Sequence, residues 1–340
     1  MAKQETARIA FVGIGEHATE SLYPNIPFIP EFELVALVFR NNRKNAAYWA
    51  GQYGVSAIYT DVEPMLDCVD PDACCICGPP EMQHEVALKV LRRGVPIFIE
   101  KPLGMSLSAA KELAALAVEK HTWGQVGFMK RFAPANILAK RYIASADFGS
   151  LSSMTLIHGC GPYDDEQMML YFNGIHMIDL ARFLGGEIAE LSAYHFRGNR
   201  GNHGIAVSGL FRGGGVFQLN QNSGQTWTDC FEIVYASGSE SGLLIDGSAE
   251  IEIMSPSQEF VSPEGLRTFG FRSRHTVSGN IAFWWAGGHY QRGYWGELHQ
   301  FAHAVLGKCN PSPTLSDGVE AHRLIEAIAN SMETGRPIEL

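Results

Sequence analysis

Short apolar runs alternate with longer segments of helical character in the first third of the chain. The apolar runs predict buried β-strands at residues 8–13, 33–39, 72–77 and 95–99. The segments between them predict helices at residues 41–53, 81–93 and 106–120. Strands that alternate with helices indicate βαβ units, so this part of the chain predicts a doubly wound parallel sheet of the Rossmann type.

A different pattern begins near residue 125. Helices are predicted at residues 134–145, 172–184, 295–305 and 316–332, and several β-rich segments with Gly, Ser and Asn turns lie within 187–271. Repeated strands with little helix between them predict a large, mostly antiparallel, open-faced sheet. We therefore expect a Rossmann domain over residues 1–126 and an α+β domain over residues 127–340. The last helix is a candidate for packing back on the first domain.

Composition narrows the class of protein. The 340 residues are 46% hydrophobic and 18% charged, which supports a large core and argues against disorder. The formal net charge is -10 and no Lys/Arg run is present, so we expect no nucleic-acid partner. No apolar run approaches the ~20 residues that span a bilayer, and the N-terminus lacks a signal-peptide pattern. We expect a cytoplasmic protein with reduced cysteines and no membrane partner.

A glycine-rich turn directly follows the first predicted strand. Residues 13–18 read G-x-G-x-x-A, in which the first glycine permits a tight turn and the second lets the backbone approach a pyrophosphate. The motif alone is weak, but its position after the first strand of a βαβ chain predicts a dinucleotide site. The cofactor contacts expected from this turn are Gly13, Ile14, Gly15, Glu16 and His17.

The end of the second strand bears on the choice of cofactor. Proteins that bind NAD usually place an acid there for the ribose hydroxyls, but residues 38–44 contain none. Arginine suits a 2′-phosphate, so Arg40, Asn41 and Arg43 favour NADP over NAD as the cofactor. The alternative is a solvated basic start of a helix.

Glu100, Lys101 and Pro102 follow the strand predicted at 95–99. A lysine at the carboxyl edge of a parallel sheet lies where such sheets bind ligands. It can exchange a proton with a substrate oxygen while hydride moves to or from a nicotinamide. The proline restricts Lys101 to extended backbone and permits a cis peptide bond. The alternative is a surface lysine before a turn-forming proline.

Together these motifs resemble the glucose–fructose oxidoreductase/inositol dehydrogenase/rhizopine-catabolism (Gfo/Idh/MocA) oxidoreductase family. The resemblance covers nearly the whole chain and includes residues 78–80, 131–132, 174–179, 293–297 and 331–337. It implies an NAD(P)-dependent dehydrogenase that interconverts a secondary alcohol and a carbonyl on a sugar-like or polyol-like small molecule. It also implies a homodimer or homotetramer formed through the open sheet face. The further cofactor contacts it implies are Gly78, Pro79, His84, Glu100, Lys101 and Arg131.

His176 is the second catalytic residue expected. It lies three residues before Asp179 on a predicted helix, so the two side chains can share a face, and histidine titrates near neutrality. The resemblance implies an acid/base or substrate-orienting role here, and a histidine packed in the core is the alternative. Many family members carry an Asp four residues earlier, where this chain has Phe172. The substrate contacts expected are Lys101, Tyr163, Asp164, His176, Asp179 and Tyr290.

Two other functions stay open at this stage. Some members of the family use a tightly held NAD to cleave a glycosidic bond through transient oxidation, and others bind the dinucleotide as regulators without catalysis. The missing acid before His176 is compatible with a regulator, whereas retention of both Lys101 and His176 argues against one.

No metal site is expected from the sequence. His299 and His303 have a spacing that permits a zinc pair, but the His-Glu-x-x-His order is absent, so a structural role is expected for both. The aromatic groups at 283–285 and 294–295 are open to two interpretations, as core or as a subunit interface.

Overall fold

The computed structural model describes residues 5–227, 230–261, 267–276 and 290–340. The chain divides into two compact units, one formed by Met1–Met129 with Phe283–Arg323 and the other by Lys130–Ala282 with Leu324–Leu340. This division differs from the contiguous second domain expected over residues 127–340. Its physical reason is a helix near residue 300 whose apolar face is buried in the core of the first unit. The aromatic group 283–285 lies outside the described residues.

The elements follow the periodicity of the sequence. The described strands are β1 (Ala7–Val12), β2 (Phe32–Val38), β3 (Ile58–Tyr59), β4 (Ala73–Ile76), β5 (Ile97–Glu100), β6 (Gly124–Gly127), β7 (Leu151–Gly159), β8 (Ile188–Arg197), β9 (His203–Phe211), β10 (Val216–Asn222), β11 (Phe231–Gly238), β12 (Gly242–Asp246), β13 (Glu250–Val261), β14 (Arg267–Thr276) and β15 (Ile338–Glu339). The described α-helices are α1 (Arg43–Gln52), α2 (Val62–Val69), α3 (Pro80–Arg92), α4 (Leu107–Glu119), α5 (Pro134–Ile143), α6 (Glu166–Met169), α7 (Ile175–Gly185), α8 (Tyr294–Val305) and α9 (Leu315–Thr334). Shorter segments of π- or 3-10-helix lie at Ala18–Leu22, Tyr23–Phe28, Met129–Phe132 and Leu170–Gly174.

The sheet of the first unit has the strand order β3-β2-β1-β4-β5-β6 and is parallel throughout. This confirms the predicted Rossmann architecture. Strands β4 and β5 are buried along their whole length, which explains why they read as continuous apolar runs rather than as alternating patterns. Since parallel strands end at one edge, the turns after β1, β4 and β5 meet there.

Helix α8 completes the core of this unit. Its residues Tyr294, Leu298 and Phe301 are buried in one hydrophobic cluster with the sheet. The Phe301 ring lies 5.8 Å from the ring of Phe98 on β5 and 5.6 Å from that of Trp123. The first unit is therefore built from two stretches of chain that are far apart in sequence.

The second unit contains a nine-stranded sheet in the order β14-β13-β12-β11-β7-β10-β9-β8-β15. Only the β7–β10 pairing among the described strand pairs of this sheet is parallel, which confirms the predicted mostly antiparallel sheet. Helices α5 and α7 pack against it. Tyr194, Phe196, Leu210 and Val216 carry exposed apolar side chains on the sheet, as expected for an open face.

The seven cysteines differ in exposure: Cys68 and Cys230 are exposed, whereas Cys74, Cys75 and Cys77 are buried. All seven are free, and burial raises the pKa of Cys74 to about 12, which keeps this thiol protonated and inert.

Among the described helices, none is both long enough and apolar enough to cross a lipid bilayer.

Ser331 joins three parts of the second unit. Its hydroxyl accepts a hydrogen bond from the amide of Ala193 on β8 (2.9 Å) and donates one to the carbonyl of Arg336 (2.8 Å). The side chain is buried, so losing it leaves a backbone donor and acceptor without partners. We expect Ser331→Ala to lower the free energy of unfolding by about 1–3 kcal/mol, measured by urea denaturation. The exposed Ser316→Ala, on the same helix, is the control and should change it by less than about 0.5 kcal/mol.

Candidate functional site

The turn after β1 requires glycine at position 13. Gly13 has φ of +118°, and a Cβ placed on it would lie 1.8 Å from the carbonyl oxygen of Cys77. Its amide donates to the carbonyl of Val38 (2.9 Å) and its carbonyl accepts from the hydroxyl of Tyr23 (2.7 Å). Burial raises the pKa of Tyr23 well above its usual range, so the hydroxyl remains a donor. The glycine turn is thus fixed from three sides.

The backbone beyond Gly13 is open to a ligand. Gly15, Glu16 and His17 are exposed, whereas Ala18 is fully buried, as the close helix–strand packing expected of this motif requires. The helix that follows is a π-helical turn and then a 3-10 segment rather than a regular α-helix. Pro27 lies inside that segment. Because a proline has no backbone N–H, it cannot donate the hydrogen bond that a regular helix requires at this position.

A cavity of about 260 Å³ lies beside the carboxyl ends of β1 and β2. Its lining residues are Val12, Val38, Phe39, Arg40, Thr60, Asp61, Val62, Met82, Glu85, Val86 and Lys89. The Nζ atom of Lys89 lies 3.0 Å from Glu85 and 3.8 Å from Asp61, so its charge is already balanced. Arg40 also lines the cavity and makes no ion pair within the described part of the chain. Arg43, at the start of α1, is exposed.

Gln83 holds the segment that carries Lys101. Its fully buried side chain donates from Nε2 to the carbonyls of Glu100 (3.0 Å) and Pro102 (3.2 Å). Its Oε1 atom accepts from the amide of Gly78 (3.1 Å). The Lys101–Pro102 peptide bond is cis, the form that the sequence admitted. Gln83 therefore links two segments that the sequence assigned to the cofactor, and the sequence analysis missed it.

The carboxyl group of Glu100 is buried at the end of β5. Its Oε2 atom accepts from the amide of Lys101 (3.2 Å), and its Oε1 atom lies 3.4 Å from Nε2 of His17. Gly127 on β6 leaves the space for this carboxyl, because a Cβ there would lie 2.9 Å from it. The structure thus brings together His17, Glu100 and Lys101, three of the residues expected at the site.

A second carboxyl group, that of Glu297 on α8, is fully buried in the same unit. Neither of its oxygens has a hydrogen-bond partner among the described residues. Burial raises its pKa well above the usual range; the charge of Glu100 adds to the rise and that of Lys101 opposes it. Burial therefore disfavours ionisation of the Glu297 carboxyl, which interacts electrostatically with Glu100 and Lys101. The family resemblance includes this position, but the sequence did not assign it a role.

His84, Pro79 and Tyr290 are other residues of the first unit that the sequence assigned to the site. The Nε2 atom of His84 is 3.2 Å from a carboxylate oxygen of Glu112 on α4. Pro79 precedes the first residue of α3. The ring of Tyr290 is exposed and lies 5.8 Å from that of Trp295.

In the second unit, Arg131 and Asp179 bind each other. Nε of Arg131 donates to Oδ2 of Asp179 (2.8 Å) and Nη2 donates to Oδ1 (2.6 Å). This two-bond geometry is the strongest form of an Arg–carboxylate pair, and the Asp179 side chain is 1% exposed. The sequence expected Arg131 at the cofactor and Asp179 at the substrate, whereas in the structure both groups serve this ion pair.

His176 is buried in the first turn of α7. The π-helical segment before it is anchored to β10, because Nε2 of Gln221 donates to the carbonyl of Gly174 (3.0 Å). Asn173 in this segment has Nδ2 3.5 Å from the hydroxyl of Tyr163. Burial raises the pKa of Tyr163 to about 12, so its hydroxyl remains a donor. Asn173 is the polar residue next to Phe172. The sequence did not single out Asn173 as a site residue.

Asp164 is exposed, and the neighbouring Asp165 caps α6 by accepting from the amide of Met168 (2.7 Å).

Lys130 and Glu232 form a buried ion pair in the second unit. His158 lies beside them, since it is the register partner of Glu232 across β7 and β11. Burial and the charge of Lys130 lower the pKa of His158 to about 4. The sequence could not predict this cluster, because the pairing of β7 with β11 is not readable from it.

The parallel sheet, the glycine turn at its carboxyl edge and the lysine that follows β5 define a dinucleotide-binding oxidoreductase. More specifically, the chain belongs to the Gfo/Idh/MocA oxidoreductase family. Residues 7–128 match the family model described as an oxidoreductase family with an NAD-binding Rossmann fold. Residues 165–340 match the C-terminal alpha/beta domain of that family.

Individual relatives agree with this assignment. The chain is 30% identical over 169 residues to inositol 2-dehydrogenase 2 of Saccharopolyspora erythraea, which is 47% of this chain and 49% of that protein. It is 28% identical over 201 residues to the NAD(+)-dependent scyllo-inositol 2-dehydrogenase of Bacillus subtilis, covering 56% and 58%. Both alignments thus span about half the length of the relative. A solved dehydrogenase structure from Chromobacterium violaceum has the same fold, with a TM-score of 0.87, 21% identity and coverage of 97% and 96%.

The buried acid of Glu297 gives a testable pH dependence. Its pKa is higher in the folded protein than the unfolded value of 4.5, so its contribution to stability is present at low pH and is lost as pH rises towards the folded pKa. Glu297→Gln removes the ionisation. We expect the melting temperature of the variant, relative to that of the natural protein, to increase as pH rises from the unfolded pKa of 4.5 towards the raised folded pKa of Glu297. The exposed Glu81→Gln, on α3, is the control. A difference that does not change with pH for Glu297→Gln would show that Glu297 is ionised in the folded protein.

Proposed function

We propose that this protein is an NAD(P)-dependent dehydrogenase that interconverts a secondary alcohol and a carbonyl on a sugar-like or polyol-like substrate. The observation that carries the proposal is the position of Lys101. It follows β5 at the sheet edge where the Gly13 turn also lies, and Gln83 and Glu100 hold its backbone. The names of the inositol dehydrogenase relatives support a polyol as the substrate class.

The first unit fits a dinucleotide by its shape. The Gly13 turn permits close backbone approach, and the cavity beside β1 and β2 is open to a nucleoside. When bound, the oxidised cofactor accepts the hydride that leaves the carbinol carbon. Lys101 takes up the hydroxyl proton at Nζ as the carbonyl bond forms, and it returns that proton in the reverse reaction. Thirteen of the fourteen cofactor contacts expected from the sequence are proposed here. Arg131 is left out because its guanidinium binds Asp179.

His176 is proposed as the second residue that handles the substrate proton or orients the hydroxyl that carries it. Tyr163, Asp164 and Tyr290 are proposed substrate contacts, and the hydrogen bond from Asn173 supports the orientation of Tyr163. A polyol offers several hydroxyls that each donate and accept, so a set of tyrosine, histidine and amide groups suits its recognition.

A homodimer or homotetramer is proposed through the open face of the nine-stranded sheet. Tyr194 and Phe196 on β8 expose most of their side chains, at 72% and 63%. Exposed aromatic side chains on a sheet are typical of surfaces that bind another protein.

Lys101→Met tests the catalytic proposal. We expect kcat to fall by about 10²–10⁴-fold, because the proton acceptor is lost, while the dissociation constant of the dinucleotide changes little. The measurement is steady-state oxidation of a panel of inositols and sugars with NAD+ and NADP+. Lys111→Met on the exposed side of α4 is the control. An unchanged kcat would disprove the role of Lys101, and a natural protein that binds dinucleotide but oxidises nothing in the panel would indicate a regulator.

Arg40→Ser tests the preference for NADP. Arg40 lines the cavity and has no ion pair with a carboxylate among the described residues, whereas Lys89 pairs with Glu85 and Asp61. We expect the natural protein to bind NADPH at least about tenfold more tightly than NADH, a difference of about 1.4 kcal/mol. Arg40→Ser should remove most of this difference and leave NADH binding unchanged, as measured by fluorescence titration. Arg43→Ser reports whether the neighbouring arginine shares the role. Equal or tighter binding of NADH by the natural protein would overturn the preference for NADP.

A further inference from the structure

Three side chains with metal-binding atoms lie close together in the first unit, outside the site described above. Glu31, His299 and His303 each offer one ligand atom, and these atoms all lie within 4.8 Å of one another. Nε2 of His303 is 3.2 Å from Oε1 of Glu31. The sequence showed only the histidine pair; the structure adds the carboxylate.

The backbone holds the three side chains in this arrangement. His299 and His303 are one turn apart on α8, so they share a face, and their ring centroids are 4.0 Å apart. Glu31 directly precedes β2, and its carbonyl accepts from the amide of Ala7 at the start of β1 (2.7 Å). The Trp295 ring stacks on His299, with centroids 4.6 Å apart and planes at 18°.

We propose that Glu31, His299 and His303 form a binding site for a divalent first-row transition metal ion, with Zn²⁺ as the reference ion. Two imidazoles and a carboxylate are a ligand set that suits Zn²⁺, and a water molecule completes the tetrahedron. At zinc bond lengths, tetrahedral ligand atoms are about 3.4 Å apart. The Glu31–His303 distance of 3.2 Å is close to this value. About a quarter of each of these two side chains is exposed, which leaves a path for the ion.

The place of the cluster in the fold indicates a structural role. Glu31 lies before the amino end of β2, at the sheet edge opposite to the glycine turn and Lys101. A bound ion would connect α8 with the turn before β2, two segments separated by more than half of the chain. It would therefore stabilise the first unit without taking part in hydride transfer.

Lys308 is the natural competitor of the ion. Its Nζ atom lies 3.6 Å from the same Oε1 atom of Glu31 that faces His303. A divalent ion and this ammonium group repel each other across one carboxylate. Removal of the lysine charge should therefore tighten metal binding. A cluster that is held only by its own ion pairs and binds no metal ion would not give this result.

The test is Zn²⁺ titration of the full chain after treatment with EDTA, followed by calorimetry and thermal unfolding. Cys68 and Cys230 are exposed thiols, so both are replaced by serine in the background to remove competing ligands. We expect one ion per chain, a dissociation constant of about 10 µM or tighter, and a melting temperature that rises by several degrees with zinc. Dinucleotide binding should not change.

Variants of the cluster distinguish a built site from adventitious binding. Glu31→Gln, His299→Ala and His303→Ala should each weaken binding by about 100-fold or more and abolish the thermal shift. Lys308→Met should tighten binding, and the exposed His275→Ala on β14 is the matched control. The proposal is overturned if the background protein binds no zinc at one ion per chain, or if the cluster variants bind it as the background does. Because turnover is not the readout, failure here leaves the dehydrogenase proposal unaffected.

Discussion

The arrangement of the first unit depends on two carboxyl groups buried near one lysine. An ionised carboxyl away from water is costly unless it is paired and hydrogen-bonded. Glu100 meets this constraint through the amide of Lys101 and the imidazole of His17, whereas burial raises the pKa of Glu297 and so disfavours its ionisation. The rest of the local structure keeps these groups in position: Gly127 leaves room for one carboxyl, and Gln83 fixes the strand end that carries the lysine.

The features that the sequence predicted are those set by local chain geometry. Gly13 was predictable because a turn with positive φ and a close neighbour demands glycine directly after a strand. Lys101 was predictable because an apolar run locates the end of β5. Gln83 and Glu297 were not predictable, because their hydrogen-bond partners are distant in sequence. The partners of Gln83 are 17 and 19 residues away, and the carbonyl of Glu297 accepts from Gln125, which is 172 residues away. No periodicity encodes such pairings.

The second unit shows how a family resemblance can give positions without giving partners. Arg131 and Asp179 match family motifs, yet their side chains bind each other in two hydrogen bonds. The carboxylate of Asp179 thus binds Arg131 and helps to hold α7 in place. Asn173, whose amide lies 3.5 Å from the hydroxyl of Tyr163, comes from a π-helical turn, a feature that is frequent at functional sites. Differences of this kind separate substrates within a family of common fold.

The divided first unit has a consequence for synthesis of the chain. Its hydrophobic core includes Tyr294, Leu298 and Phe301 from α8, and these residues leave the ribosome only after eight of the nine strands of the second sheet, β7 to β14, have been made. Until then, the apolar surface around Phe98 and Trp123 lacks the aromatic ring that covers it. Nascent domains that fold late expose such surface to aggregation and to chaperones. The dinucleotide-binding unit, although first in sequence, thus completes its core only after most of the second unit has been synthesised.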